Sequence, residues 1–274
     1  MFINCKGKLI DFSTARVMGI LNITPDSFYD GGRKRTLSEY IDHTAKMLEE
    51  GATFIDAGAY SSRPGAVDIS EEEELTRILP VVRALVKEFP DVLLSIDTFR
   101  SKVARECVQE GAAIINDISA GSLDSNMMKT IAELQVPYIM MHMRGTPQNM
   151  KELNEYKDLT GDILFYFSEK IAEARAHGIN DLIIDPGFGF SKNISQNFEL
   201  LKHLELFKSL NLPVLSGISR KSLIYKTLNT TPDEALNGTT VLNTVSLLKG
   251  AHILRVHDVK EAVECVKLTA QLDY

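Results

Sequence analysis

The sequence predicts an α/β protein, a single (β/α)8 barrel spanning residues 1–274, with its active site at the C-terminal face of the strands. Three observations predict it. Eight short apolar runs, rich in Ile, Val, Leu and Met, recur along 274 residues. They lack the apolar–polar alternation of half-solvated strands and read as parallel strands buried on both faces. Between them lie helical stretches, and strand–helix alternation over about 250 residues is the length of one such barrel. An open doubly wound sheet is the competing layout, but its ligand groups gather at one switch point. Here every run ends in a polar or charged residue, which points to one equipped rim.

The runs are VMGILN ending at Asn22, TFIDAG with Asp56, LLSID ending at Asp97, and AIIND with Asn116 and Asp117. PYIMMH then ends at His142, LIIDPG carries Asp185, PVLSGISRK reaches Lys221, and HILRVHD holds Arg255 and His257. The intervening helices are expected over 36–49, 71–88, 101–109, 125–134, 158–177, 197–210, 233–249 and 259–272. Leu37, Ile41, Ala45 and Leu48 form one apolar stripe, and Leu75, Ile78, Val82, Leu85 and Val86 another. Gly51, Gly111 and Gly178 stand just past the last apolar residue of three helices, where a left-handed cap belongs.

Bulk properties exclude several classes. A net charge of −7 argues against a general nucleic-acid surface. Cys5, Cys107 and Cys265 are far apart, with no CxxC, so neither a zinc site nor a disulfide framework is expected. Neither the N-terminus nor any apolar run suggests a signal core or a membrane span. A reducing cytoplasm is the simple expectation.

Two connections exceed the usual two to six residues of a βα loop. ITPDSFYDGGRKR follows the first run and AYSSRPGAVDIS the second, both rich in Pro, Gly, Ser and Asp. They are read as lids, carrying Phe28 and Tyr29 in one and Arg63 in the other. At the rim, Asp97 and Asp185 are acceptor-only groups suited to a ligand edge that presents N–H donors. Asp97 could instead cap the helix after Thr98-Phe99-Arg100-Ser101, and Asn116 could be a buried amide satisfied by backbone. Arg255 and His257 share a strand face. With the turn at Ser222 they suggest an anion site near the last two strands, where barrels often hold phosphate. A surface ion pair is the alternative for Arg255.

MGILNITPDSF, SSRPGA, SIDTFRSKVA, INDIS, DPGFGF, SGISRKS and LRVHDV together resemble the dihydropteroate synthase family of folate biosynthesis, in order and over nearly the whole chain. The resemblance implies condensation of 4-aminobenzoate with (7,8-dihydropterin-6-yl)methyl diphosphate, use of Mg2+, inhibition by sulfonamides, and a homodimer. It implies that Asp97, Asn116, Met141, Asp185, Lys221 and Arg255 bind the pterin. Asn22, Arg63, Arg255 and His257 would hold the diphosphate, with Asn22 a metal ligand. Phe28, Ser62, Pro64, Phe190, Lys221 and Ser222 would surround the aminobenzoate. Asp97, Arg63 and Lys221 are the implied catalytic residues. One departure stands out: many members read ESTRPGA where this chain has Tyr60 and Ser62. A pterin-binding methyltransferase domain of the same fold is the nearest alternative, and a Schiff-base aldolase using Lys221 a more distant one.

Overall fold

The computed structural model describes residues 1–23, 36–62 and 67–272. An antiparallel hairpin comes first, β1 (Phe2–Cys5) and β2 (Lys8–Asp11). The barrel strands follow: β3 (Arg16–Asn22), β4 (Phe54–Gly58), β5 (Leu94–Asp97), β6 (Ile114–Asp117), β7 (Tyr138–Met141), β8 (Leu182–Asp185), β9 (Leu215–Ser216) and β10 (Ile253–Val256). All neighbours among them pair in parallel, in the order β8-β7-β6-β5-β4-β3-β10-β9. A parallel bridge between Ile184 and Val214 joins the two ends of that list and closes the barrel.

The helices are α1 (Leu37–Glu49), α2 (Glu71–Glu88), α3 (Ser101–Gln109), α4 (Met127–Leu134), α5 (Leu159–Ala176), α6 (Ile194–Lys202), α7 (Ser222–Tyr225), α8 (Leu236–Leu248) and α9 (Val259–Thr269). Thr36 and Asn193 close reciprocal capping boxes with Glu39 and Gln196, which fixes where α1 and α6 begin. Gly51, Gly111 and Gly178 take positive φ, as expected of helix-ending glycines. The segment expected as one helix over 197–210 divides into α6 and a 3-10 helix at Leu204–Leu210.

Strand parity sorts the side chains. Val17, Leu21, Ile55, Ala57, Leu94, Ile96, Ile115, Ile184 and Leu254 join the core between strands and helices. The opposite parity faces the barrel interior. Its lower layer is apolar: Met18, Phe54, Leu93, Ile114, Ile139, Ile183, Leu215 and Ile253. Ile3, Cys5 and Phe12 from the N-terminal segment pack into the same cluster. The hairpin, which the sequence reading did not anticipate, therefore seals the end of the barrel opposite the rim. One step further along each strand, the same parity delivers polar groups.

Candidate active site

Asp56 on β4 is the centre of the polar layer. It is fully buried, and its Oδ2 accepts from Arg255 Nε at 2.6 Å and from Asn116 Nδ2 at 3.1 Å. Arg255 Nη2 donates to Asp97 Oδ2 at 2.7 Å. One guanidinium thus spans β4 and β5, using two edges of its planar fork. Pairing across the sheet sets Asp97 beside Asn116 and Met141 beside Asp185. Burial works against the Arg255 charge, but Asp56 and Asp97 overcome it and raise its pKa. Burial pushes Asp97 up to about 7, with Arg255 opposing and Asp56 adding to the rise.

Asp185 ends β8, 5% exposed. Its Oδ1 accepts from the backbone N–H of Gly187 at 2.8 Å. Burial raises its pKa, with Lys221 pulling the other way. Lys221 lies just past β9, and its ammonium donates to the Phe188 carbonyl and stands 4.7 Å from the centre of the Phe190 ring. Burial lowers Lys221 to about 8, with the Asp185 charge opposing. A Cβ on Gly217 would stand 3.8 Å from both Asp185 Oδ2 and Lys221 Nζ, so these two groups flank that glycine.

On the anion side, Ser219 Oγ accepts from the His257 backbone N–H at 3.2 Å and lies 3.0 Å from His257 Nδ1. The hydroxyl therefore holds His257 at both its backbone and its ring. Asn22 is half-buried at the end of β3, in register with Gly58. Ser222 opens α7, a helix of one turn. Half-buried Ser62 and Phe190 lie on the loops after β4 and β8. Phe28, Arg63 and Pro64 lie outside the described residues, as does most of the first long loop.

Several alternatives are resolved. Asp97 does not cap α3: the Ser101 N–H is held by Asp124 Oδ2 at 2.7 Å, while Asp97 turns to Arg255. Arg255 is no surface ion pair, being 18% exposed against a fully buried Asp56. Asn116 is satisfied by a carboxylate rather than by backbone. Asp117, on the opposite parity, faces away from the interior and bonds Tyr138 Oη at 2.6 Å and Ser119. The sequence reading named Asp56 in the second run but gave it no role in the site. The available signal was parity, since Asp56 is two residues beyond Phe54 on one strand face.

Tyr60 forms a distinct contact set. Its hydroxyl accepts from Gln148 Nε2 at 3.0 Å, and its ring meets Phe99 edge-on with centroids 4.9 Å apart. Arg100 stands 5.3 Å from the Tyr60 ring centre and donates to Glu74 Oε2 at 2.6 Å. A neutral phenol here links the loop after β4 to the loop after β7.

A closed barrel with an apolar floor and a polar layer at the C-terminal ends of its strands defines the class as a (β/α)8 barrel with the rim expected of an enzyme. Residues 18–257 match the family described as Pterin binding enzyme. Dihydropteroate synthase of Escherichia coli strain K12 is 45% identical over 265 residues, covering 96% of this chain and 93% of that protein. Dihydropteroate synthase of a Synechocystis strain is 42% identical over 93% of this chain and 89% of its own length. The crystal structure of Yersinia pestis dihydropteroate synthase in a sulfonamide complex superimposes with a TM-score of 0.95 at 43% identity, covering 99% of both chains. Xanthomonas albilineans dihydropteroate synthase with 4-aminobenzoic acid gives 0.91 at 37% identity, covering 99% of this chain and 97% of that one. The chain belongs to the pterin-binding enzyme family, in its dihydropteroate synthase branch.

Proposed function

We propose that this rim joins 4-aminobenzoate to (7,8-dihydropterin-6-yl)methyl diphosphate, giving 7,8-dihydropteroate and pyrophosphate. The observation that carries this reading is the convergence of Asp97, Asn116, Asp185 and Lys221 on the space beside Arg255. Asp185 and Asn116 match the donor edge of a pterin, Lys221 donates to its carbonyl, and Met141 supplies apolar wall. Arg255, already held flat by Asp56 and Asp97, offers its face to the ring.

In the reaction the methylene C–O bond breaks and its electron pair leaves with the diphosphate. Arg63, Arg255 and His257 neutralise the departing charge. Positive charge develops on the pterin methylene and spreads into the ring, where ionised Asp97 stabilises it. The arylamine nitrogen then forms the new C–N bond and releases a proton to solvent. Phe28, Ser62, Pro64 and Phe190 enclose the aminobenzoate, with Ser222 at its carboxylate.

Among the described residues no group of three His, Cys, Asp or Glu side chains is placed to hold a metal ion. Magnesium fits such a site through one protein oxygen, because it keeps waters and takes phosphate oxygens as ligands. The Asn22 amide oxygen at the end of β3 is a suitable hard donor. When bound, the ion would supply charge neutralisation on the diphosphate.

The remaining features of this reading are a single domain over residues 1–274, a homodimer and a cytoplasmic location. Exposed Val241 and Leu248 on α8 and Leu268 on α9 support pairing through the outer helices. Cys5, Cys107 and Cys265 are all buried free thiols, in keeping with a reducing compartment. No helix among the described residues is long and apolar enough to cross a membrane. The deciding experiment is pyrophosphate release on mixing the protein with both substrates and magnesium. Release that needs all three supports the reading, inhibition by a sulfonamide extends it, and absence of release overturns it.

A further inference from the structure

Lys192 is a charged residue that the reaction does not use, yet it is only 9% exposed. Its Nζ lies 2.9 Å from the Phe190 carbonyl, 3.0 Å from the Gly187 carbonyl and 3.1 Å from His142 Nδ1. Burial lowers its pKa to about 7, with the Asp185 charge opposing; in its ammonium form it has three protons and no lone pair, so these three acceptors use all of it. His142, at the end of β7 and 2% exposed, must then accept at Nδ1 and carry its proton on Nε2. Burial, with the Lys192 charge beside it, holds the His142 pKa well below its usual range, which keeps the imidazole neutral.

The loop that this ammonium grips has little structure of its own. Gly187, Gly189 and Ser191 all take positive φ. Phe190 N–H donates to the Gly187 carbonyl at 3.1 Å, one backbone bond within the loop. The loop is also pressed against β7, since a Cβ at Gly187 would stand 2.1 Å from the His142 carbonyl oxygen. Its shape is therefore imposed from outside. Each anchored carbonyl belongs to a residue that orients a substrate-facing group. The Gly187 N–H holds Asp185 Oδ1 at 2.8 Å, and the Phe190 ring stands 4.7 Å from Lys221 Nζ.

We propose that Lys192 is a positioning residue for both substrates. By locking residues 186–191 against His142, it sets Asp185 for the pterin edge and Phe190 for the aminobenzoate ring. The inference rests on the substrate assignment above. It concerns how the two halves of the pocket are held in one geometry, so it predicts an effect on binding rather than on the chemical step.

The test is Lys192→Met, which keeps the chain length and removes the charge, with calorimetric affinities as the first readout. Pterin diphosphate is titrated into the free protein, and 4-aminobenzoate into protein with magnesium pyrophosphate. Both affinities are expected to fall roughly 10- to 100-fold, as for loss of a charged hydrogen-bond set. In turnover assays both KM values should rise while kcat stays within about threefold, the mark of lost ground-state binding. Tyr156→Phe is the control: its hydroxyl donates to the Ser191 carbonyl of the same loop at 2.9 Å but does not reach Gly187 or Phe190. It should lower the thermal midpoint with little change in either KM. If Lys192→Met does not fold, Lys192→Gln retains two donors and is expected to show a smaller loss of the same kind. A folded Lys192 variant with unchanged affinities overturns the proposal and leaves the residue a purely structural role. Absence of pyrophosphate release by the wild type would instead strike the reaction, leaving the calorimetric comparison intact.

Discussion

Asp56 Oδ2 and Arg255 Nε are 2.6 Å apart, although 199 residues of chain separate them. The same oxygen also holds Asn116, so one fully buried carboxylate orients two side chains of the polar layer. Asp56 itself is enclosed below the rim and acts through them.

Removing Asp56 should therefore loosen the pterin pocket from beneath. Asp56→Asn keeps the shape but weakens the grip on Arg255, and pterin diphosphate affinity is expected to fall roughly 10- to 100-fold. Asp56→Ala also leaves a buried guanidinium with one partner fewer, a loss of about 3–5 kcal/mol in the most severe case. Arg255 retains Asp97 at 2.7 Å, which moderates it. Calorimetry and chemical denaturation of the two variants would check both effects, and wild-type affinity in Asp56→Asn would remove Asp56 from the site.

Asp185→Ala is expected to abolish measurable pterin binding with little change in thermal midpoint. The carboxylate ends its strand and makes one backbone bond, to Gly187. Losing it opposite a ligand that presents donors costs roughly 2–5 kcal/mol. Unchanged pterin affinity in the folded variant would refute the role given to Asp185.

Pterin affinity should decline as pH rises through about 8, where Lys221 loses its proton. In the role proposed for Lys221 the donor to the pterin carbonyl must be protonated, which sets the sign. Lys221→Arg holds its charge to far higher pH and should remove that limb of the profile. The same group acts oppositely on stability. Its pKa is lower in the folded chain than the ordinary 10.5, so the unfolded chain binds more protons between about 8 and 10.5. Its contribution to stability therefore rises with pH across that window and is lost as pH falls through about 8. Affinities and thermal midpoints measured from pH 6 to 10, wild type against Lys221→Arg, would test both signs.

Tyr60→Phe should cost about 0.5–1.5 kcal/mol, the usual net value of one hydrogen bond. Gln148→Ala should cost a similar amount, and the double variant little more, because both remove the same 3.0 Å contact. Strict additivity in that cycle would show the contact to be energetically idle. Tyr60→Glu restores the acid common in the motif and keeps an acceptor for Gln148, so it should fold and retain turnover.

Aminobenzoate should bind far more tightly once magnesium pyrophosphate is present. Of the residues proposed to surround the aminobenzoate, Phe28, Ser62 and Pro64 belong in sequence to the two long loops. A ligand that anchors Arg63 organises the wall before the second substrate arrives, which is positive coupling of about 5- to 150-fold. Titrations of 4-aminobenzoate with and without magnesium pyrophosphate would measure it, and equal affinities would mean a preformed pocket.

The sequence by itself determined the barrel and most of the rim. Buried parallel strands need continuous apolar runs, and a side chain that leaves the core at a strand end must be polar, so Asn22, Asp97, Asn116, Asp185 and Arg255 were legible one strand at a time. Tertiary structure decided which of these groups meet. Nothing local to FIDAG sets Asp56 under Arg255, because that contact exists only when the first and last strands become neighbours in a closed sheet. The same holds for Lys192, whose acceptors on His142, Gly187 and Phe190 gather only when β7 and β8 pair. The hairpin was missed for a related reason: FINC and KLID are too short to announce themselves, and Ile3 and Cys5 are buried only because the barrel leaves an apolar end to cover. Periodicity records how each segment meets its surroundings, whereas a site built across strands depends on closure, which couples residues far apart in the chain.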